Sequence, residues 1–188
     1  MSAIERTVTL FALAVPIALG CCGTSEGGEA PAENGTPSGR TAGSVSQDGV
    51  SLEWEFSEDF VEFILTAPTT GWVAVGFDAT SAMLEADIAI GYVSENQVFM
   101  SDQWGDGYTS HSADRDLGGS SDLEVLEGSE TGGVTRIVFR RPLDTEDEFD
   151  HVLVPDGEHS ILLAYGPDGN DSYQGRHEWV ETFRRKLD

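Results

Sequence analysis

Apolar and polar residues alternate along most of the chain after its N-terminal quarter. Within residues 50–56 every second side chain is large and apolar, and residues 61–65 repeat that spacing. The same alternation returns in residues 134–140. A period of two places alternate side chains on opposite faces of a β-strand, and no stretch keeps a helical period. The pattern therefore predicts an all-β fold.

Two further apolar runs, residues 72–77 and 88–93, flank a loop of small residues that contains Met83. A methionine between two strands is either a filler of the core or a ligand. Short strands at intervals of roughly 8–12 residues are typical of a β-sandwich or a barrel. The four tryptophans supply large apolar bodies for a core between two sheets.

The N-terminus indicates secretion. Residues 1–20 read as a signal peptide, with Arg6 before an apolar run shorter than the roughly 20 residues that span a bilayer. Ala18-Leu19-Gly20-Cys21 resembles a bacterial lipobox, which makes Cys21 the predicted lipidation site. A plain signal peptide, or a disulfide between Cys21 and Cys22, is the alternative, although adjacent cysteines are awkward to bridge.

Residues 21–48 are rich in small and polar residues and have few large apolar side chains. Such a segment cannot bury enough surface to offset its ordering entropy, so it is predicted to be a disordered tether. Residues 49–188 then form one domain. A signal peptide, a lipidated cysteine, a tether and a domain follow one another along the chain. This arrangement predicts a protein that is secreted across the inner membrane and lipid-anchored at the cell envelope, in the periplasm or at the cell surface.

The formal net charge of -24 argues against a nucleic-acid partner, because an acidic surface repels phosphate backbones. The acidity has two readings that the sequence leaves open. It is either an adaptation to salt or a docking face for a basic redox partner.

Motifs for catalysis are missing from the sequence. It contains no nucleophile elbow, phosphate loop, HExxH or CxxC, and carboxylates are too abundant for any pair to be specific. An enzymatic activity is therefore not assigned, and a non-catalytic electron-transfer or binding domain is favoured. Met83 with one of the four histidines would make a low-spin haem site, non-covalent because CxxCH is lacking.

Several motifs in order resemble a DOMON domain, the family related to dopamine β-monooxygenase N-terminal domains and to the cytochrome domain of cellobiose dehydrogenase. They are Gly71-Trp72-Val73-Ala74-Val75-Gly76-Phe77, Met83, Ala86-Asp87-Ile88-Ala89-Ile90-Gly91-Tyr92, Asp102, the Asp114-to-Asp116 loop, Phe139-Arg140-Arg141-Pro142-Leu143-Asp144-Thr145 and Leu163-Ala164-Tyr165-Gly166. The resemblance implies an immunoglobulin-like β-sandwich that binds haem or sugar in a pocket at one end.

The resemblance also implies the site. In haem-binding members, a methionine before the Ala-Asp-Ile strand and a histidine after the Ala-Tyr-Gly turn ligate iron, which implies Met83 and His177 as ligands of haem b. The family histidine often follows a tyrosine directly, whereas here Gln174 follows the tyrosine. His159 is the alternative second ligand. The side chains implied to line the pocket, if they do not simply pack the core, are Trp72, Phe77, Tyr92 and Tyr173.

The function implied is an extracytoplasmic, membrane-tethered haem b domain that passes electrons to a redox partner not identified by the sequence. The alternative is a carbohydrate or small-ligand binding module without haem, in which Trp104 and Tyr108 stack on sugar faces. A third reading is an accessory subunit of a larger oxidoreductase.

Overall fold

The computed structural model describes residues 41–188, which form eleven strands and one short helix. In chain order the elements are β1 Ala42–Gln47, β2 Val50–Phe56, β3 Phe60–Ala67, β4 Val73–Phe77, β5 Asp87–Ser94, β6 Gln97–Trp104, β7 Ser112–Ala113, α1 Asp114–Leu117, β8 Glu124–Thr131, β9 Val134–Pro142, β10 Glu158–Tyr165 and β11 Trp179–Lys186.

The strands form two antiparallel sheets. One sheet has the order β1-β2-β3-β9-β8, and the other has the order β11-β10-β4-β5-β6-β7. Alternate residues of β2, β3 and β9 are buried, so the inner face of the five-stranded sheet is apolar. Phe63 lies at the centre, with ring centroids 5.3 Å from both Phe77 and Phe139. The predicted all-β sandwich is confirmed.

The six-stranded sheet differs from an ordinary sandwich sheet, because its central strands are buried on both faces. All five residues of β4 and the first five of β5 are buried. Antiparallel sheets commonly leave one face to solvent, and this one does not. Its outer face therefore carries a second apolar surface.

Strands occur in two places where the sequence predicted none. β1 lies inside the segment predicted as a tether, and it is held by main-chain pairing with β2, since Val45 is its one buried residue. β7 and α1 lie in the polar, Gly-rich stretch 105–121, and β7 extends the sheet at the edge of β6. The predicted signal peptide, Cys21 and most of the tether lie outside the described residues. Within residues 41–188, no helix has the length and hydrophobicity that a membrane span requires.

Candidate functional site

The outer face of the six-stranded sheet carries an apolar cluster, called here the outer cluster. Its buried members are Trp72, Ala74, Ala86, Ile88, Ile90 and Ala164, with Ala79, Tyr92, Leu162 and Tyr173 packed against them. Alanine dominates the floor, and Gly76 adds no side chain between Ile88 and Leu162. The result is a second buried apolar cluster, on the side of the sheet that faces away from the main core.

Met83 lies in the loop between β4 and β5, at one end of this surface, and its side chain is half-buried. Gly105 fixes that loop from the end of β6. The Glu85 amide donates to the Gly105 carbonyl at 2.7 Å, and the Gly105 amide donates to the Ala86 carbonyl at 2.8 Å. Met83 is thus positioned where β4 ends and β5 begins.

The structure does not bring His177 to Met83. His177 is exposed, and the amide of the next residue donates to the Tyr165 carbonyl at 2.8 Å. Tyr165 pairs with Val73, at the opposite end of β4 from Phe77, where the Met83 loop starts. Four residues of a strand span about 13 Å. His177 therefore lies at the far end of the sheet.

Three of the four aromatic residues proposed to line the pocket share the outer cluster. Trp72 and Tyr92 belong to it, and Tyr173 packs on Tyr92 with ring centroids 5.3 Å apart. Phe77 faces the other way and packs against Phe63 in the core between the sheets. Alternate side chains of a strand point to the same face, and Phe77 is separated by even numbers of residues from Val73 and Val75, which also face the core.

His159, the alternative ligand, lies at the Met83 end of the sheet but on the core side, because it shares the parity of the buried Ile161. Its Nδ1 lies 2.6 Å from an Asp78 carboxylate oxygen. It borders an open cleft of about 360 Å³ that is also lined by residues 184–186 of β11. Of the proposed sugar-stacking pair, Trp104 packs against Phe149 and His151, while Tyr108 is exposed.

A second site, which sequence reasoning did not identify, lies between the sheets. Arg141 of β9 is fully buried and forms an ion pair with Asp87 of β5, and Asp150 lies 3.5 Å away. Asp102 of β6 and Asp114 of α1 are also buried beside these groups. Asp87 and Asp150 thus contact the guanidinium, and Asp102 and Asp114 lie beside these carboxyl groups; the five residues are called here the acidic cluster.

Burial makes the carboxyl groups of the acidic cluster hard to ionise. Burial first, and neighbouring carboxylates second, raise the pKa of Asp102 to about 7 and that of Asp114 to about 8, and burial raises the pKa of Asp150 to about 6. Buried oxygens of all three lack a hydrogen-bond partner in the part of the chain that the structure describes. Oxygens from Asp87, Asp102 and Asp150 lie within 4.8 Å of one another, and such a set suits a hard cation such as Ca²⁺.

The acidic cluster is expected to make stability fall as pH rises from 6 to 8 in the presence of a chelator. The raised pKa values mean that the folded state binds more protons than the unfolded state in this window, so stability falls as pH rises until the folded groups have also lost their protons. Urea unfolding should show a loss of roughly 1–3 kcal/mol. Asp102→Asn, which cannot ionise, should flatten the slope, and Ca²⁺ should raise the melting temperature more at pH 8 than at pH 6. A slope that is equal in both proteins would contradict this.

Gly105→Ala is expected to displace the Met83 loop, because an added methyl group would overlap the Met83 carbonyl oxygen. Such overpacking typically costs about 1–3 kcal/mol. Gly76→Ala is the matched control, since its methyl would meet only ordinary contacts at 3.5 Å or more. Thermal unfolding of the two variants should show a clear loss for the first alone, and equal melting temperatures would refute this placement of the loop.

Comparisons with known proteins agree with this architecture. The chain is 32% identical over 139 residues to DBH-like monooxygenase protein 2 of Mus musculus, covering 71% of this chain and 21% of that protein. It is 27% identical over 120 residues to MOXD1 homolog 2 of Drosophila melanogaster, covering 63% of this chain and 15% of that protein. The chain thus spans about a fifth of the length of these relatives or less.

Two solved structures share the fold. The cytochrome b domain of pyranose dehydrogenase from Coprinopsis cinerea has a TM-score of 0.52 at 17% identity, over 72% of this chain and 76% of that one. The cytochrome domain of Myriococcum thermophilum cellobiose dehydrogenase also has a TM-score of 0.52, at 12% identity, over 79% of this chain and 83% of that one. The DOMON domain family matches residues 46–166, which is most of the range that the structure describes. The chain therefore belongs to the DOMON domain family.

Proposed function

We propose that this chain is a haem b-binding electron-transfer domain with Met83 as one axial ligand. The observation that carries the proposal is the outer cluster, a buried apolar cluster on the outer side of the sheet, together with Met83, whose carbonyl accepts a hydrogen bond at 3.0 Å from the amide of Ala86 in that cluster. The shared fold with two cytochrome domains supports it. A haem would supply reversible one-electron chemistry, and a thioether ligand favours ferrous iron.

The residues present fit such a group. The apolar side chains of the outer cluster would give a haem beside Met83 an apolar environment without a covalent link, and Tyr173 and Tyr92 pack together at the opposite end of the cluster. Trp72 offers a buried indole N–H that has no partner among residues 41–188, a donor suited to a propionate. Each of these side chains binds or shields, and none of them needs to move a proton.

Two axial protein ligands would leave no open iron position, so the proposed role is electron transfer rather than oxygen chemistry. Spectroelectrochemical titration of the haem-loaded protein tests this role. The expected result is a reversible one-electron transition, with a reduced spectrum that carbon monoxide does not change. A spectrum that shifts at once with carbon monoxide would show an open position and overturn the assignment. Sugar binding without any haem band would support the binding-module alternative instead.

We also propose that the domain works outside the cytoplasm on a lipid tether. Cys21→Ser is expected to release the protein from the membrane fraction of expressing cells, because the lipidated cysteine would be the anchor. Cys22→Ser, one residue further along, is the matched control and should stay with the membrane. Fractionation followed by immunoblotting measures both. Release of both variants to the same extent, or of neither, would refute Cys21 as the anchor.

A further inference from the structure

We propose that His111, rather than His177, supplies the second axial ligand to a haem held by Met83. This inference rests on the proposed function and concerns the same surface. It departs from the ligand that family resemblance implies, and it comes from strand register, hydrogen bonding and burial around His111.

Strand register places His111 at the Met83 end of the outer face. Gln103 of β6 pairs with Ile88, a member of the outer cluster, and on its other side with Ala113 of β7. His111 shares the parity of Ala113, so its side chain leaves the same face of the sheet. The last pair of these strands is Trp104 with Ser112, so the next residue on each side, Gly105 and His111, lies just beyond the paired strands, and Gly105 holds the Met83 loop. Neighbouring strands lie about 4.8 Å apart.

The imidazole of His111 is held in place through its Nδ1 atom. Its Nδ1 contacts the Gln103 side-chain oxygen, and Gln103 is fixed because its amide NH₂ donates to the Ser101 hydroxyl at 3.0 Å. An oxygen accepts only from a protonated nitrogen, so Nδ1 carries the hydrogen and Nε2 keeps its lone pair. Ligating histidines are commonly held by such a hydrogen bond on the other nitrogen.

The Nε2 atom of His111 is available to a ligand. No hydrogen bond to this nitrogen is present within the described residues. Burial lowers the pKa of the half-buried ring, against an opposing effect of Asp106. A neutral imidazole is the form that binds iron.

The other three histidines of the chain are less suitable. His151 Nε2 is 2.9 Å from the Glu85 carbonyl and is therefore engaged. His159 lies on the core side of the sheet, and His177 is exposed at the far end. Among the four, His111 alone combines the outer face, the Met83 end and a free Nε2.

The test compares His111→Ala with His177→Ala, the same substitution at the two candidates, in haem titrations followed by absorption. His111→Ala is expected to lose the low-spin reduced spectrum and to bind haem at least about tenfold more weakly, while His177→Ala should keep both. Loss of the low-spin spectrum in His177→Ala alone, or in neither variant, would overturn the inference. A wild-type protein that binds no haem would instead defeat the proposed function itself.

Two further measurements separate ligation from folding. Circular dichroism and melting temperature establish that His111→Ala is folded, and His111→Gly with added imidazole should regain the low-spin spectrum if the missing group is a ligand. Gln103→Leu removes the positioning contact and should weaken haem binding while leaving the low-spin spectrum in place. A folded His111→Gly protein that imidazole does not restore, at any concentration that saturates free haem, would count against ligation.

Discussion

Arg141→Met is expected to lower the free energy of unfolding by about 3–5 kcal/mol, the usual result of removing one partner from a buried ion pair. The Arg141 side chain is 2% exposed and compensates Asp87 and Asp150 between the two sheets. Its guanidinium also donates to the His151 carbonyl at 3.1 Å. Without it, two carboxylates would remain in a site that water does not reach.

Arg140→Met is the matched control, because the neighbouring arginine forms an ion pair with Glu124 on the surface. Such exposed pairs contribute about 0–1 kcal/mol. Urea denaturation at pH 7 should separate the two variants clearly. Equal losses of unfolding free energy in the two variants would show that the acidic cluster is not held by Arg141. The Arg141→Met variant should also regain part of its stability at lower pH, where the carboxyl groups take up protons.

Met83→Ala is expected to weaken haem binding by roughly tenfold or more and to convert the low-spin spectrum to a high-spin one. A thioether is a soft ligand that raises the reduction potential, so its removal should also lower the midpoint potential of any haem still bound. Absorption titration and spectroelectrochemistry measure the two effects.

Met100→Ala is the control for Met83→Ala, since Met100 of β6 packs against the core between the sheets and not at the outer cluster. It should cost stability and leave the spectrum of the bound haem unchanged. An unchanged spectrum in Met83→Ala, with haem still bound at wild-type affinity, would mean that Met83 only fills space.

The fold could be predicted because strand alternation is a local signal. Residues 50–56 and 134–140 show the period of two directly, and the structure places strands there. The same alternation places Phe77 on the opposite face of the strand from Ala74. Because side chains alternate along any β-strand, this assignment follows from the sequence alone. β1 escaped prediction because main-chain pairing with β2 holds it, and its side chains give little sign of this.

The sites could be predicted only in part, because they depend on which strands become neighbours. The members of the acidic cluster come from β5, β6, α1, β9 and the loop before β10, so no local spacing connects them. His111 has no motif around it, and its place beside the Met83 loop follows from the pairing of β6 with β7. The position of His177 likewise follows from the pairing of Tyr165 with Val73 and Trp179.

The most direct test of the central claim is an absorption titration of the purified domain with haem. The proposed function predicts saturation at about one haem per chain, with a sharp low-spin spectrum on reduction. A protein that remains colourless with excess haem, although circular dichroism shows it folded as a β-sandwich, would contradict the claim.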